Sequence, residues 1–160
     1  MKQELNHQQT IFFIGIGGAG MSGIARVLLN RGFKVAGSDL RNNFWTQKLE
    51  ALGGIFYHGH KEENINTATQ IIVRSSAIKE DNPEIRKARE LQIPVWHRSE
   101  MLAWLVQDRR LFAVAGTHGK TTTSSMMTSV FQRCNTDPVV FLGAEFDEIQ
   151  GNAKDGQGIY

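Results

Sequence analysis

Two glycine-bearing stretches constrain this chain more than anything else in it: FIGIGGAGMSG, residues 13–23, and FAVAGTHGKTTT, residues 112–123. Each is an apolar run that breaks into small residues and resumes as a helix-forming segment. An apolar run without polar alternation is expected for a strand covered on both faces, as in a parallel sheet flanked by helices. The loop that follows leaves backbone N–H groups unpaired at a helix start, where the helix dipole favours an anion. A chain built around two such units is predicted to be an α/β protein that handles phosphate groups.

The rest of the chain alternates in the same sense. Met21, Ile24, Ala25 and Leu28 recur at helical spacing after the first loop, with Gly32 placed to stop the helix. FKVAGSD reads as the second strand, and Asn42 or Asn43 can cap a helix through FWTQKLEAL. IFYHG and TQIIVRSS read as further strands joined by the polar connection HKEENINTA. Asn82 followed by Pro83 marks a helix start. IPVWH then reads as a short strand, and Ser99 is the expected cap of a helix through EMLAWLVQ. Alternation of this kind implies right-handed crossovers and a doubly wound, Rossmann-like parallel sheet.

After DRR, Asp108 to Arg110, the pattern restarts: strand LFAVAG, loop, a helix from about Lys120 to Arg133, and strand DPVVFLG. From Glu145 onward the polar, glycine-bearing sequence reads as loop or hairpin. The expected organisation is a Rossmann-like domain over residues 1–108 and the first βαβ part of a second phosphate-binding domain over 109–160. That second part is too short to bury a core alone.

Composition excludes several classes. A net charge of +2 in 160 residues leaves no basic field for nucleic acid. No apolar run approaches the roughly 18 residues of a membrane span, and the polar start MKQELNHQQT is unlike a signal peptide. Cys134 is the only cysteine, which excludes an internal disulfide and reads as a packing or surface thiol near a helix end. A cytoplasmic location is expected.

The first loop satisfies G-x-G-x-x-G through Gly15, Gly17 and Gly20, directly after a strand and before a helix. Glycines permit the tight turn and a close approach of backbone N–H groups to a diphosphate. Asp39 ends the second strand about twenty residues on, where an acid commonly accepts from a ribose hydroxyl. This context alone suits NAD, but nothing after it marks a hydride-transfer site, and Gly18, Met21, Ser22 and Gly23 exceed what a dinucleotide requires. The motif does not separate a dinucleotide from a nucleotide-diphosphate sugar.

The second loop, Gly116-Thr117-His118-Gly119-Lys120-Thr121, is a shortened G-x-x-x-x-G-K-[ST], with Val114 where the first glycine commonly stands. Its amides form an anion nest, Lys120 brings a point charge to the β- and γ-phosphates, and the Thr121 hydroxyl is a ligand for Mg²⁺. Thr122 and Thr123 extend the hydroxyl cluster. His118 is assigned proximity to the phosphates and nothing more.

GIGGAGMSGIA with GSDL, SSAI followed by NPEI, RSEML, and AGTHGKTTT together resemble the Mur ligases, from Ile11 to Tyr160. The G-G-A-G-M form of the first loop favours the member that joins L-alanine to UDP-N-acetylmuramate over its tripeptide-recycling relative. The resemblance implies that the first loop holds the UDP-sugar and the second holds ATP with Mg²⁺. ATP would phosphorylate the muramic carboxylate, and the alanine amine would attack the resulting acyl phosphate. Lys120 and Thr121 would carry the phosphoryl chemistry, with Gly116, Thr117, His118, Gly119 and Thr122 around ATP. Gly15, Gly17, Gly18, Gly20, Met21 and Ser22 would line the UDP diphosphate, and Ser38 and Asp39 would lie near the nucleoside. Ser75, Ser76 and Ala77 match a family loop at the sheet's carboxyl edge. Arg98 and Glu100 serve either the ligand or the start of a helix.

Family members continue into an acidic E-A-D-E-S-type strand end, which this sequence lacks; after Glu145 its remaining acids are Asp147, Glu148 and Asp155. The 160 residues alone are therefore expected not to ligate. Two other readings stand beside this one: an NAD-dependent oxidoreductase module, and a non-catalytic UDP-sugar-binding or regulatory fragment.

Overall fold

The computed structural model describes residues 4–160. Strands β1 (Thr10–Ile14), β2 (Lys34–Asp39), β3 (Ile55–His58), β4 (Thr69–Arg74) and β5 (Val95–His97) form one parallel sheet in the order β3-β2-β1-β4-β5. Helices α1 (Ala19–Asn30), α2 (Phe44–Ala51) and α3 (Pro83–Glu90) connect β1 to β2, β2 to β3 and β4 to β5; the short turn Glu62–Asn64 lies between β3 and β4, and α4 (Arg98–Val106) follows β5. The chain leaves β1 toward β2 on one side and returns to β4 on the other. The switch point, where such sheets open a crevice for ligands, therefore falls between β1 and β4.

Alternation along β1 explains the double winding. Ile11 and Phe13 face a core shared with Ile24 and Leu28 of α1, Leu49 of α2 and Met101 of α4. Phe12 and Ile14 face the opposite core, with Ile85 and Ala88 of α3. Every one of these side chains is buried. Truncating Phe12 or Phe13 to alanine is worth about 3–5 kcal/mol at such sites.

Local signals account for most boundaries. Asn43 is the cap of α2: its Oδ1 accepts from Trp45 N at 2.9 Å and Thr46 N at 3.2 Å. Asn82 caps α3, accepting from Glu84 N at 2.9 Å, with Pro83 in the first turn. The expected cap at Ser99 is corrected. The cap of α4 is His97, whose ring accepts from Ser99 N, while Glu100 reaches back to His97 N at 2.5 Å. Glu100 thus closes a capping box around a histidine.

The second segment departs further from expectation. Residues 111–116 form no strand, although LFAVAG has the composition of one. Composition supplies propensity but no partner for the backbone groups, and the neighbouring strands pair with each other instead. Helix α5 (Lys120–Arg133) leads to β6 (Val140–Phe146) and β7 (Gly151–Lys154), an antiparallel hairpin rather than a parallel βαβ unit. The hairpin expected beyond Glu145 is present. It packs on α1: Ala153 is buried in the first core, and Asn152 Nδ2 donates to the Ala19 carbonyl and to Ser22 Oγ, the latter at 3.1 Å. Arg31 pairs with Asp155 at 2.8 Å. Among the described residues, no helix is long and apolar enough to cross a membrane.

Candidate functional site

The first glycine loop crosses the carboxyl end of β1. Gly15 holds φ +80°, and its N–H and that of Ile16 donate to the Ser38 carbonyl at 2.8 and 3.0 Å. Gly17 N–H then turns to Asp39, whose Oδ2 accepts it at 2.9 Å. Asp39 Oδ1 accepts from Arg41 N at 3.2 Å, so both carboxylate oxygens already brace backbone. Asn43 Nδ2 donates to the Gly17 carbonyl at 3.1 Å, tying the cap of α2 to the same loop. A Cβ on Gly17 would lie 2.8 Å from Asn43 Nδ2 and 3.0 Å from Asp39 Oδ2. Glycine is required there by the loop's own braces.

Gly18 precedes α1 without a side-chain cap, so the first-turn amides depend on solvent or a ligand. Gly18 is exposed and Gly20 half-buried, at the mouth of this turn. Met21 and Ser22 are buried; Met21 belongs to the core, and Ser22 Oγ donates to the Ala19 carbonyl at 3.0 Å. Ser38 is also fully buried, and it meets the loop through its carbonyl.

The turn after β4 lies alongside. A Cβ on Gly15 would come 3.7 Å from Ile78 Cδ1, at the end of the Ser75-Ser76-Ala77 turn. Ser76 and Ala77 are exposed and Ser75 half-buried. Ser76 Oγ is 2.9 Å from His97 Nε2, and Ser99 Oγ is 2.7 Å from His97 Nδ1, which links this turn to the start of α4. Arg98, the first residue of α4, lays its guanidinium against Gly20. It is exposed and makes no ion pair among the described residues. A cation facing the positive end of α1 is unfavourable by itself, and an anion between the two would relieve it. Sequence reasoning missed Asn43 and His97 as site residues, since their partners are distant in the chain.

The second loop is built differently. Gly116 and Gly119 hold φ +151° and +76°, and Gly119 starts α5 from the left-handed region without a side-chain cap. Nothing lies within 4 Å of a Cβ placed on Gly119, so the cradle is open. Lys120 Nζ donates to the carbonyls of Gly116 and Thr117 at 2.5 and 3.2 Å. Thr117, His118, Thr121, Thr122 and Thr123 are exposed. β6 passes close by, with a Cβ on Gly143 falling 3.7 Å from Thr121 Oγ1. An open left-handed turn with a lysine over it has the form of an anion cradle, and the exposed Thr121 hydroxyl is one oxygen that could serve a divalent cation. Among the described residues, no cluster of three or more His, Cys, Asp or Glu side chains is placed to hold a metal ion. A 510 Å³ cavity is lined by residues of α4, the 109–114 segment, α5, β6 and Tyr160. Its lining includes neither glycine loop.

The fold is that of a doubly wound, Rossmann-like α/β protein, with its crevice at the β1/β4 switch point. The sequence matches the Mur ligase family, catalytic domain, over residues 10–110. The chain belongs to the Mur ligase family. It is 48% identical over 160 residues to the UDP-N-acetylmuramate–L-alanine ligase of Carboxydothermus hydrogenoformans, covering all of this chain and 34% of that protein. The crystal structure of UDP-N-acetylmuramate–alanine ligase from Thermotoga maritima superposes with a TM-score of 0.89 at 34% identity, over 94% of this chain and 35% of that one. The UDP-N-acetylmuramate:L-alanyl-γ-D-glutamyl-meso-diaminopimelate ligase of Neisseria superposes at 0.87 and 28% identity, over 94% of this chain and 47% of that one. The chain thus spans about a third of the length of the curated relatives it matches.

Proposed function

We propose that this chain is the amino-terminal region of an ATP-dependent ligase that joins L-alanine to UDP-N-acetylmuramate, in the cytoplasm, for peptidoglycan synthesis. The observation that carries the reading is the open first turn of α1 at the switch point, with the Arg98 guanidinium, which forms no ion pair among the described residues, against it. In a chain related to alanine-adding ligases, that pairing of amides and cation suits the diphosphate of a UDP-sugar. The turn at Ser75, Ser76 and Ala77 flanks the same crevice and is assigned to the sugar side.

The second loop is assigned to ATP and Mg²⁺. ATP supplies the phosphoryl group that activates a carboxylate. Lys120 would exchange its two loop carbonyls for the β- and γ-phosphates, and Thr121 would hold the metal. Residues 1–108 and 109–160 are assigned to the two domains, although the hairpin of the second is anchored on α1 of the first. A chain spanning 34% of its relative is expected to bind the sugar nucleotide without ligating it.

Isothermal titration with UDP-N-acetylmuramate tests the reading. Saturable binding below millimolar concentration is expected, with NAD failing to compete. No binding at millimolar ligand by a chain that circular dichroism reports as folded overturns it, and competitive binding of NAD would favour the oxidoreductase alternative. Co-purification with a complete ligase would instead mark a regulatory fragment.

A further inference from the structure

Beneath the first loop lies a carboxylate that the reading above does not use. Glu84, in the first turn of α3, is fully buried and collects donors from three segments. Ser38 Oγ, at the end of β2, donates to Oε2 at 2.7 Å. Asn64 Nδ2, in the turn Glu62–Asn64, donates to Oε1 at 2.7 Å. His60 Nδ1, just after β3, lies 3.0 Å from Oε2 and 2.8 Å from Ser38 Oγ. A buried carboxylate survives only where donors surround it in this way.

Proton bookkeeping fixes the histidine. Ser38 has one hydroxyl proton, and it goes to Glu84. Toward His60, both Ser38 Oγ and Glu84 Oε2 are then acceptors, so Nδ1 carries the proton. In a neutral ring, Nε2 is left as an acceptor. The same Ser38 whose hydroxyl is held here accepts the Gly15 and Ile16 amides through its carbonyl. Its neighbour Asp39 accepts Gly17 N–H at 2.9 Å through its side chain and Gly59 N–H at 2.8 Å through its carbonyl. One carboxylate thus sets the ends of β2 and β3, from which the glycine loop hangs.

We infer that Glu84 is a positioning residue for the sugar-nucleotide site, holding Ser38 and the glycine loop in place and fixing His60 as its Nδ1–H tautomer. The affinity half of this rests on reading the glycine loop as the UDP-sugar site; the tautomer half does not. Nitrogen-15 NMR of the imidazole, at a pH where the ring is neutral, is expected to report Nδ1–H in the unaltered chain. In Glu84→Gln, whose amide can donate to Nδ1, the signal is expected to move toward Nε2–H. UDP-N-acetylmuramate affinity is expected to fall about tenfold in that variant, with ATP affinity changed less than twofold. Nε2–H in the unaltered chain overturns the inference. So does an undiminished affinity in Glu84→Gln, while the glycine-loop reading survives. An unaltered chain that binds no UDP-sugar sinks the glycine-loop reading and the positioning role together. Should Glu84→Gln not fold, Ser38→Ala tests the positioning half: Glu84 still accepts from His60, so Nδ1–H should persist while UDP-N-acetylmuramate affinity falls. An undiminished affinity there overturns the inference.

Discussion

The two glycine loops look alike in sequence and differ in everything around them. The first is suspended from a five-stranded sheet, its amides and carbonyls taken by Ser38, Asp39 and Asn43, with buried strands on either side. The second has no strand before it, lies exposed, and is held among its described contacts by its own lysine, which donates to the Gly116 and Thr117 carbonyls. A phosphate-binding motif specifies a turn and a charge. Whether that turn is preorganised depends on the sheet that carries it, and only the first loop has one here.

Hydrogen exchange gives this contrast its largest readout. Amides of Ile11–Ile14 in β1 and Ile71–Val73 in β4, buried in the middle of the sheet, are expected to exchange roughly a thousandfold or more slowly than those of residues 111–119. Addition of ATP should slow the second loop and leave β1 unchanged. Equal protection of both regions would dissolve the distinction.

Substitutions come next in size. Gly17→Val brings a side chain against Asn43 and Asp39, where a Cβ alone already lies at 2.8 and 3.0 Å. UDP-N-acetylmuramate affinity is expected to fall about a hundredfold, the scale of an overpacked site, with ATP binding intact. Lys120→Ala removes a solvent-facing ammonium that touches only carbonyls of its own loop. ATP affinity should drop about tenfold as a phosphate contact is lost, with sugar-nucleotide binding and melting temperature unmoved. Weakened sugar-nucleotide binding in Lys120→Ala would mean that the loops do not divide the work as assigned.

The same contrast explains what could be read from sequence. β1 and β2 were legible because their apolar runs are long enough for burial on both faces, and Asn43 and Asn82 were legible because capping is local. LFAVAG was misread because a strand is defined by its neighbour, which no apolar count reveals. Ser99 was misread as a cap because serine is the commoner choice, yet Glu100 closes its box on His97. Glu84 was visible as part of a helix start at Asn82-Pro83. Its meeting with Ser38, 46 residues earlier, exists only once β2 and α3 are laid on the same sheet edge. Likewise Gly17 and Asp39 were both singled out as ligand contacts, whereas the structure turns them toward each other.

The smallest effect probes what holds the second region. Asp137 accepts from Lys154 Nζ and from Gln157 N, each at 2.7 Å, tying the residues before β6 to the end of β7 and the segment that follows it. The lysine bond, then the backbone bond, pull its carboxyl below the usual 3.8. A folded-state value below the unfolded one means stability that is present above 3.8 and lost as pH falls through the lower folded value. Because the pair is exposed, Asp137→Asn should cost at most about 0.5 kcal/mol, or roughly 2 °C in melting temperature. Asparagine tolerates the positive φ of 42° at this position, so the substitution removes charge without adding backbone strain. The gap between the two melting curves should stay constant from neutral pH to about 4 and close below it. A gap that persists at lower pH would assign the tie to neutral hydrogen bonding, and the second region would then owe nothing to its charges.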